Sequence, residues 1–127
     1  TGIAPFLGMI MNNHEQTPVH LYAGFRKSND LTWQYEQFAL KEMAAKHLAH
    51  FEIAYSREQK KQYVMDLIKR DAQYIASVLA NKGVIMICGS LRMYKDVEEL
   101  LDTICRNLNQ QEIGYYYAQN QILSDCY

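Results

Sequence analysis

Apolar and polar positions along the chain follow two different periods, and the switches between them mark out a series of short elements. Residues 19–24 (VHLYAG), 51–55 (FEIAY) and 84–88 (VIMIC) are short apolar runs of strand type, the first ended by Gly24. VIMIC is β-branched and apolar on both sides, as a central parallel strand is. Between the first two runs, LTWQYEQFALKEMAAKH predicts a helix capped by Asp30 or Thr32. From Lys61 to about Asn81, the apolar positions Tyr63, Val64, Leu67, Ile68, Ile75, Val78 and Leu79 predict one long amphipathic helix, stopped by Gly83. Val97, Leu100, Leu101, Ile104, Cys105 and Leu108 fall at i, i+3, i+4, i+7, i+8 and i+11, the cleanest helical stripe in the chain. PFLGMIMNN predicts a short opening helix with Pro5 in its first turn. EIGYYYAQN predicts a further helix despite Gly114 and three successive tyrosines, and QILSDCY a last short strand.

Strands alternating with helices imply an α/β fold: a Rossmann-like parallel sheet with helices on both faces. Such a sheet carries its functional residues beyond the carboxyl ends of its strands, near the point where strand order reverses. The strand ends here read Gly24-Phe25-Arg26, Ser56-Arg57, Cys88-Gly89-Ser90 and Asp125-Cys126-Tyr127. These are unusually chemical residues for strand ends.

Composition narrows the partners. The chain has 127 residues, 49% of them hydrophobic and 21% charged, a length and balance that fit one globular domain. A formal net charge of −1 gives no global field for nucleic acid or an anionic membrane, so any anion site is local. Cys88, Cys105 and Cys126 form no CxxC pair and are odd in number, which predicts free thiols in a reducing, cytoplasmic setting. No apolar run approaches the roughly 18 residues that span a bilayer. The chain opens on Thr1, so it reads as an excerpt of a longer protein, which leaves membrane attachment of the whole protein open.

The candidate chemistry each has a plainer rival. A Thr1-Gly2 turn before a helix offers free N–H groups and a positive dipole end to a phosphate, although most such turns only cap. In SREQKKQY, Ser56, Arg57 and Lys61 suit a phosphomonoester, with Tyr63 placed to stack on a purine. The rival is that Ser56 and Glu58 cap the helix and the charges are solvated. A lone cysteine such as Cys88 is most often inert core. The terminal Asp125-Cys126-Tyr127 is either a frayed tail or one tied down by an apolar strand. His47 and His50 lie i, i+3 at a helix end without a third ligand nearby, so no metal site is predicted. There is no Walker loop, G-x-G-x-x-G or G-x-S-x-G.

Taken in order, the strand-end clusters resemble the NADP-binding domain of the ferredoxin–NADP reductase superfamily, and within it the diflavin branch that includes the sulfite reductase flavoprotein subunit. Thr1 to Phe6 resemble the G-T-G-I-A-P-F motif without its first glycine, and Gly24-Phe25-Arg26 resembles G-C-R. Ala54 to Gln59 with Lys61, Tyr63 and Val64 resembles S-R-[ED]-Q…K-x-Y-V. Cys88-Gly89 with Met93, Lys95, Asp96 and Val97 resembles C-G-D…M-x-K-D-V, and Asp125-Cys126-Tyr127 resembles the closing D-V-[WY]. The likeness covers essentially residues 1–127 as one domain, and it implies that a first sheet strand lies before Thr1.

The resemblance implies a set of roles. Thr1 and Gly2 would lie against the pyrophosphate, with Arg26 reaching the phosphates. Ser56, Arg57 and Lys61 would grip the 2′-phosphate and Tyr63 the adenine. Cys88 and Asp125 would flank the nicotinamide, with Gly89, Met93 and Asp96 as lesser coenzyme contacts. Tyr127 would stack on the flavin and move aside for the nicotinamide. The implied cofactors are NADP(H), FAD held by an upstream domain of the same chain, and FMN in the full protein. The implied partners are that FAD-binding domain and a downstream acceptor, whether a flavodoxin-like domain, a haemoprotein or a cytochrome. The implied activity is hydride transfer from NADPH to flavin, with the 127 residues alone inactive; the alternative is a nucleotide-binding domain in regulation or assembly. Met65 stands where many relatives carry Gln, and Ser90 where they carry Asp. The loops 56–61 and 88–93 are each one residue shorter than in common relatives.

Overall fold

A computed structural model describes residues 3–126, apart from the side chains of Ala4 and Pro5. The elements run α1 (Ala4–Met11), β1 (Val19–Phe25), α2 (Asp30–Ala44), β2 (His50–Tyr55), α3 (Val64–Arg70), α4 (Ala72–Ala80), β3 (Val84–Gly89), α5 (Leu91–Ile104), α6 (Ile113–Ala118) and β4 (Ile122–Cys126). All four strands are parallel, in the order β2-β1-β3-β4. The chain moves outward from β1 to β2, then returns across β1 to lay down β3 and β4. The strand order therefore reverses between β1 and β3.

Alternation along the strands divides the apolar residues between two cores. On one face Leu21, Ala23, Met86 and Cys88 meet Phe6 and Ile10 of α1 and Tyr35 and Ala39 of α2. On the other, Tyr22, Ala54, Ile85 and Ile87 meet α3, α4, α5 and Tyr116 of α6. The expected α/β sheet with helices on both faces is what forms. No helix among the described residues is long and apolar enough to cross a membrane.

Several local details depart from the sequence pattern. The N-cap of α2 is Asn29, not Asp30 or Thr32. Its Oδ1 accepts the Thr32 N–H at 3.0 Å, while Thr32 Oγ1 accepts the Asn29 N–H at 2.8 Å. Thr32 is thus the reciprocal partner and Asp30 a first-turn acid that suits the helix dipole. The single helix expected from Lys61 to Asn81 is two. Residues 61–63 stay outside it, α3 starts at Val64 with Asp66 accepting the Tyr63 N–H, and the helix breaks at Asp71. Asp71 bonds Arg70 and the Tyr22 hydroxyl, partners that hold it at the junction. Gly83 is not the left-handed stop either. Lys82 takes that conformation (φ 66°), and Gly83 follows because a Cβ there would lie 2.4 Å from Val78 Cγ1. Past Ile104 the α5 stripe slips into a π-helical turn, Cys105–Asn109. The slip carries Leu108 out to 45% exposure and brings in Asn109, whose amide donates to Ala76 O and Tyr116 Oη.

Candidate functional site

The carboxyl ends of β1 and β3, where strand order reverses, open onto a cavity of about 810 Å³. Three stretches of chain build it. Gly24, Phe25 and Arg26 arrive at the end of β1; Ser56 and Gln62 to Asp66 come from the loop after β2 and the first turn of α3; Gly89, Ser90, Arg92, Met93 and Asp96 come from the end of β3 and the start of α5. Ala54 forms part of the floor. Six residues expected from sequence therefore line one cavity: Arg26, Ser56, Tyr63, Gly89, Met93 and Asp96.

Backbone bonding fixes the loops that carry these side chains. Ser56 N–H donates to Phe25 O and Arg57 N–H to Arg26 O, both at 2.9 Å, so the β1–β2 pairing continues past the strand ends and holds Arg57 beside Arg26. Glu58, the acid of this loop, turns away. Its carboxylate accepts the Ser28 N–H and Oγ–H, each at 2.7 Å, and those bonds hold it below the usual carboxylate range. Ser56 and Glu58 do not cap α3, which starts eight residues beyond Ser56. Lys61 Nζ stands 5.8 Å from the centroid of the Tyr63 ring, and that ring is 46% exposed at the cavity.

Two glycines keep the floor open. Gly89 has φ 147°, a conformation that side-chain-bearing residues rarely adopt, and a Cβ there would lie 2.5 Å from Met93 Cε. At Gly24 a Cβ would lie 3.2 Å from Val64 Cγ2. Ser90 then caps α5, its Oγ accepting the Met93 N–H at 3.1 Å.

The cavity offers cations that can meet an anion. Among the described residues, salt bridges engage Arg70, Arg106, His47 and His50, and none takes up Arg26, Arg57, Lys61 or Arg92. Arg26 and Arg92 line the cavity beside Asp66 and Asp96, so its lining offers guanidinium groups outside any salt bridge to an anion within a mixed-charge surface. Arg57, bonded through its backbone to Arg26, and Lys61, beside the Tyr63 ring, do not line the cavity.

Cys88 sits elsewhere. It is 3% exposed and packs in the core formed with Ile3 and Phe6, on the face of the sheet that α1 covers. Its Sγ lies 3.9 Å from Tyr22 O, and burial, followed by the nearby Cys126 and Asp125, pushes the thiol up to about 12. Asp125 is its register partner on β4. Thr1, Gly2 and Tyr127, expected at the pyrophosphate and the flavin, lie outside the described residues. Sequence reasoning missed Arg92 and Gln62. Arg92 stands three residues past Gly89, within reach of the strand-end rule, whereas Gln62 lines the cavity only because α3 starts late. Met65 and Ser90, singled out as departures from the family pattern, both line the cavity.

Comparison with known proteins bears on this geometry. Residues 1–99 match the family described as oxidoreductase NAD-binding domain. The chain is also similar to the NADPH–cytochrome P450 reductase of Phanerodontia chrysosporium, 34% identical over 141 aligned positions. That alignment covers 90% of this chain and 18% of the relative, so the chain spans about a fifth of the relative's length.

Proposed function

Because the chain belongs to the oxidoreductase NAD-binding domain family, we propose that it is the NADPH-binding module of a longer diflavin-type reductase, delivering hydride to an FAD that another part of the protein holds. One observation carries this reading: a cavity at the strand-order reversal lined by Arg26 and Arg92, neither in a salt bridge among the described residues, with Arg57 and Lys61 on the segment between the lining residues Ser56 and Gln62. Ser56, Arg57 and Lys61 bind the 2′-phosphate, Tyr63 packs on the adenine, and Arg26 and Arg92 meet the phosphates that join the two nucleosides. Met65 gives the adenosine end an apolar wall where many relatives offer an amide.

The coenzyme crosses the carboxyl edge of the sheet from this cavity towards the opposite face. There, Cys88 and Asp125 would bound the nicotinamide, with Thr1 and Gly2 as the residues that would serve the pyrophosphate. When bound, NADPH supplies the hydride and the flavin receives it; the protein supplies position. Tyr127 is the aromatic that would serve the flavin face in this reading. The relative's name places a haem protein at the acceptor end, and the proposed acceptor here is likewise a haemoprotein, either a cytochrome or a sulfite reductase haemoprotein.

The test is coenzyme discrimination in the full flavoprotein. NAD lacks the 2′-phosphate, and each charge-assisted hydrogen bond to it contributes on the order of 1.5–3 kcal/mol. Arg57→Ala should raise KM for NADPH at least about tenfold and leave KM for NADH nearly unchanged. Equal effects on the two coenzymes would remove Arg57 from the 2′-phosphate.

A further inference from the structure

The opposite end of the sheet holds a polar cluster that nucleotide binding leaves unused. His20 and His50 are register partners on β1 and β2, so their side chains leave the sheet on one face, the face shared by Tyr22 and Glu52 two residues on. The break between α3 and α4 brings Asp71 to that face, where the Tyr22 hydroxyl donates to Asp71 Oδ2 at 3.4 Å. His50 Nε2 lies 3.2 Å from Glu52 Oε1. One ligand atom each from His50, Glu52 and Asp71 lie within 4.8 Å of one another, and all three residues are half-buried. Behind them His20 is 2% exposed, its ring 5.7 Å from that of His50 and edge-on to Tyr74 at 5.0 Å.

We infer that His50, Glu52 and Asp71 form a site for a borderline divalent transition ion of the Zn2+ class, which enters by displacing the Arg70 guanidinium. The donor set argues for that class: imidazole with two carboxylates suits zinc-like ions, whereas Mg2+ and Ca2+ prefer all-oxygen shells. Distance argues for the geometry. In a tetrahedron of ordinary Zn–N and Zn–O bonds, neighbouring ligand atoms lie roughly 3.3–3.5 Å apart. The His50–Glu52 separation already fits, and a side-chain adjustment of Asp71 closes the remainder.

Arg70 now occupies the position. It donates to Glu52 Oε2 through Nη1 and to Asp71 Oδ1 through Nε, each at 2.9 Å, so one cation already bridges the two carboxylates. The Arg70 side chain is 50% exposed, so it can swing into solvent without opening the core. The same three ligands tie β2 to the α3–α4 junction, so an ion there links sheet to helix.

The inference does not depend on nucleotide binding and is tested apart from activity. Zn2+ is titrated into the full chain against a chromophoric chelator, and Co2+ is used as a spectroscopic stand-in. The expected result is one equivalent bound, with melting temperature rising with Zn2+ concentration. His50→Asn and Asp71→Asn should each weaken binding about tenfold or more, while His47→Asn leaves it unchanged. Arg70→Gln should tighten binding several-fold, a gain that misfolding cannot produce. Unchanged affinity in Arg70→Gln or in His50→Asn would overturn the site. A thiolate-to-Co2+ charge-transfer band, which places the ion on a cysteine, would overturn it equally.

Discussion

Cys88 illustrates how far a residue's type fixes its role. Its thiol is buried beside Ile3 and Phe6, faces the Tyr22 carbonyl and is pushed up to about 12, so throughout the physiological range it is a neutral group. In the nicotinamide role proposed for it, Cys88 would act only by contact or weak hydrogen bonding, not as a thiolate. Cys88→Ser in the full flavoprotein should therefore slow flavin reduction in stopped flow and leave NADPH binding nearly intact. The wild-type rate should show no thiol titration between pH 6 and 9; an unchanged rate in the variant would make Cys88 a packing residue. Much of the candidate site was legible at this scale because Arg, Ser, Gly and Cys are costly or unusual where an apolar strand ends. Arg26, Ser56 and Gly89 were found on that ground. Arg92 was not, because a single arginine near a helix start is indistinguishable in sequence from an ordinary solvated charge.

At the scale of elements, the apolar pattern located every strand and most helices and misplaced their junctions. Periodicity reports which face is buried, and it is silent on the polar bonds that end a helix. The stripe through Leu67, Ile68 and Ile75 passes straight over Asp71, whose bonds to Arg70 and Tyr22 come from tertiary structure. The i+11 position of α5 failed likewise, because the π-helical turn shifts the register at Cys105. Two substitutions test the junctions that were resolved only in the structure. Asn29→Ala removes half of a reciprocal cap and should cost about 1 kcal/mol in denaturant unfolding, with nucleotide affinity unaltered. Gly89→Ala forces a Cβ against Met93 at φ 147° and should cost about 1–3 kcal/mol. It should weaken nucleotide binding as well, since Met93 would be driven into the cavity. Full affinity in Gly89→Ala would detach the end of β3 from the site.

For the molecule as a whole, topology does the positioning. The order β2-β1-β3-β4 places the reversal between β1 and β3, and that is where the cavity opens. The resemblance to the NADP-binding domains of the ferredoxin–NADP reductase superfamily, read from motifs at strand ends, is borne out by the family match over residues 1–99. A net charge of −1 leaves room for a cavity rim that carries Arg26 and Arg92, with Arg57 and Lys61 on the loop between its lining residues Ser56 and Gln62. The most direct measurement of that rim compares two ligands that differ by one phosphate. Calorimetric titration of the chain with 2′,5′-ADP and with 5′-AMP, at one low salt concentration, should give at least about tenfold tighter binding of 2′,5′-ADP, with Arg57→Ala erasing most of the difference. Equal affinities for the two ligands would contradict the account.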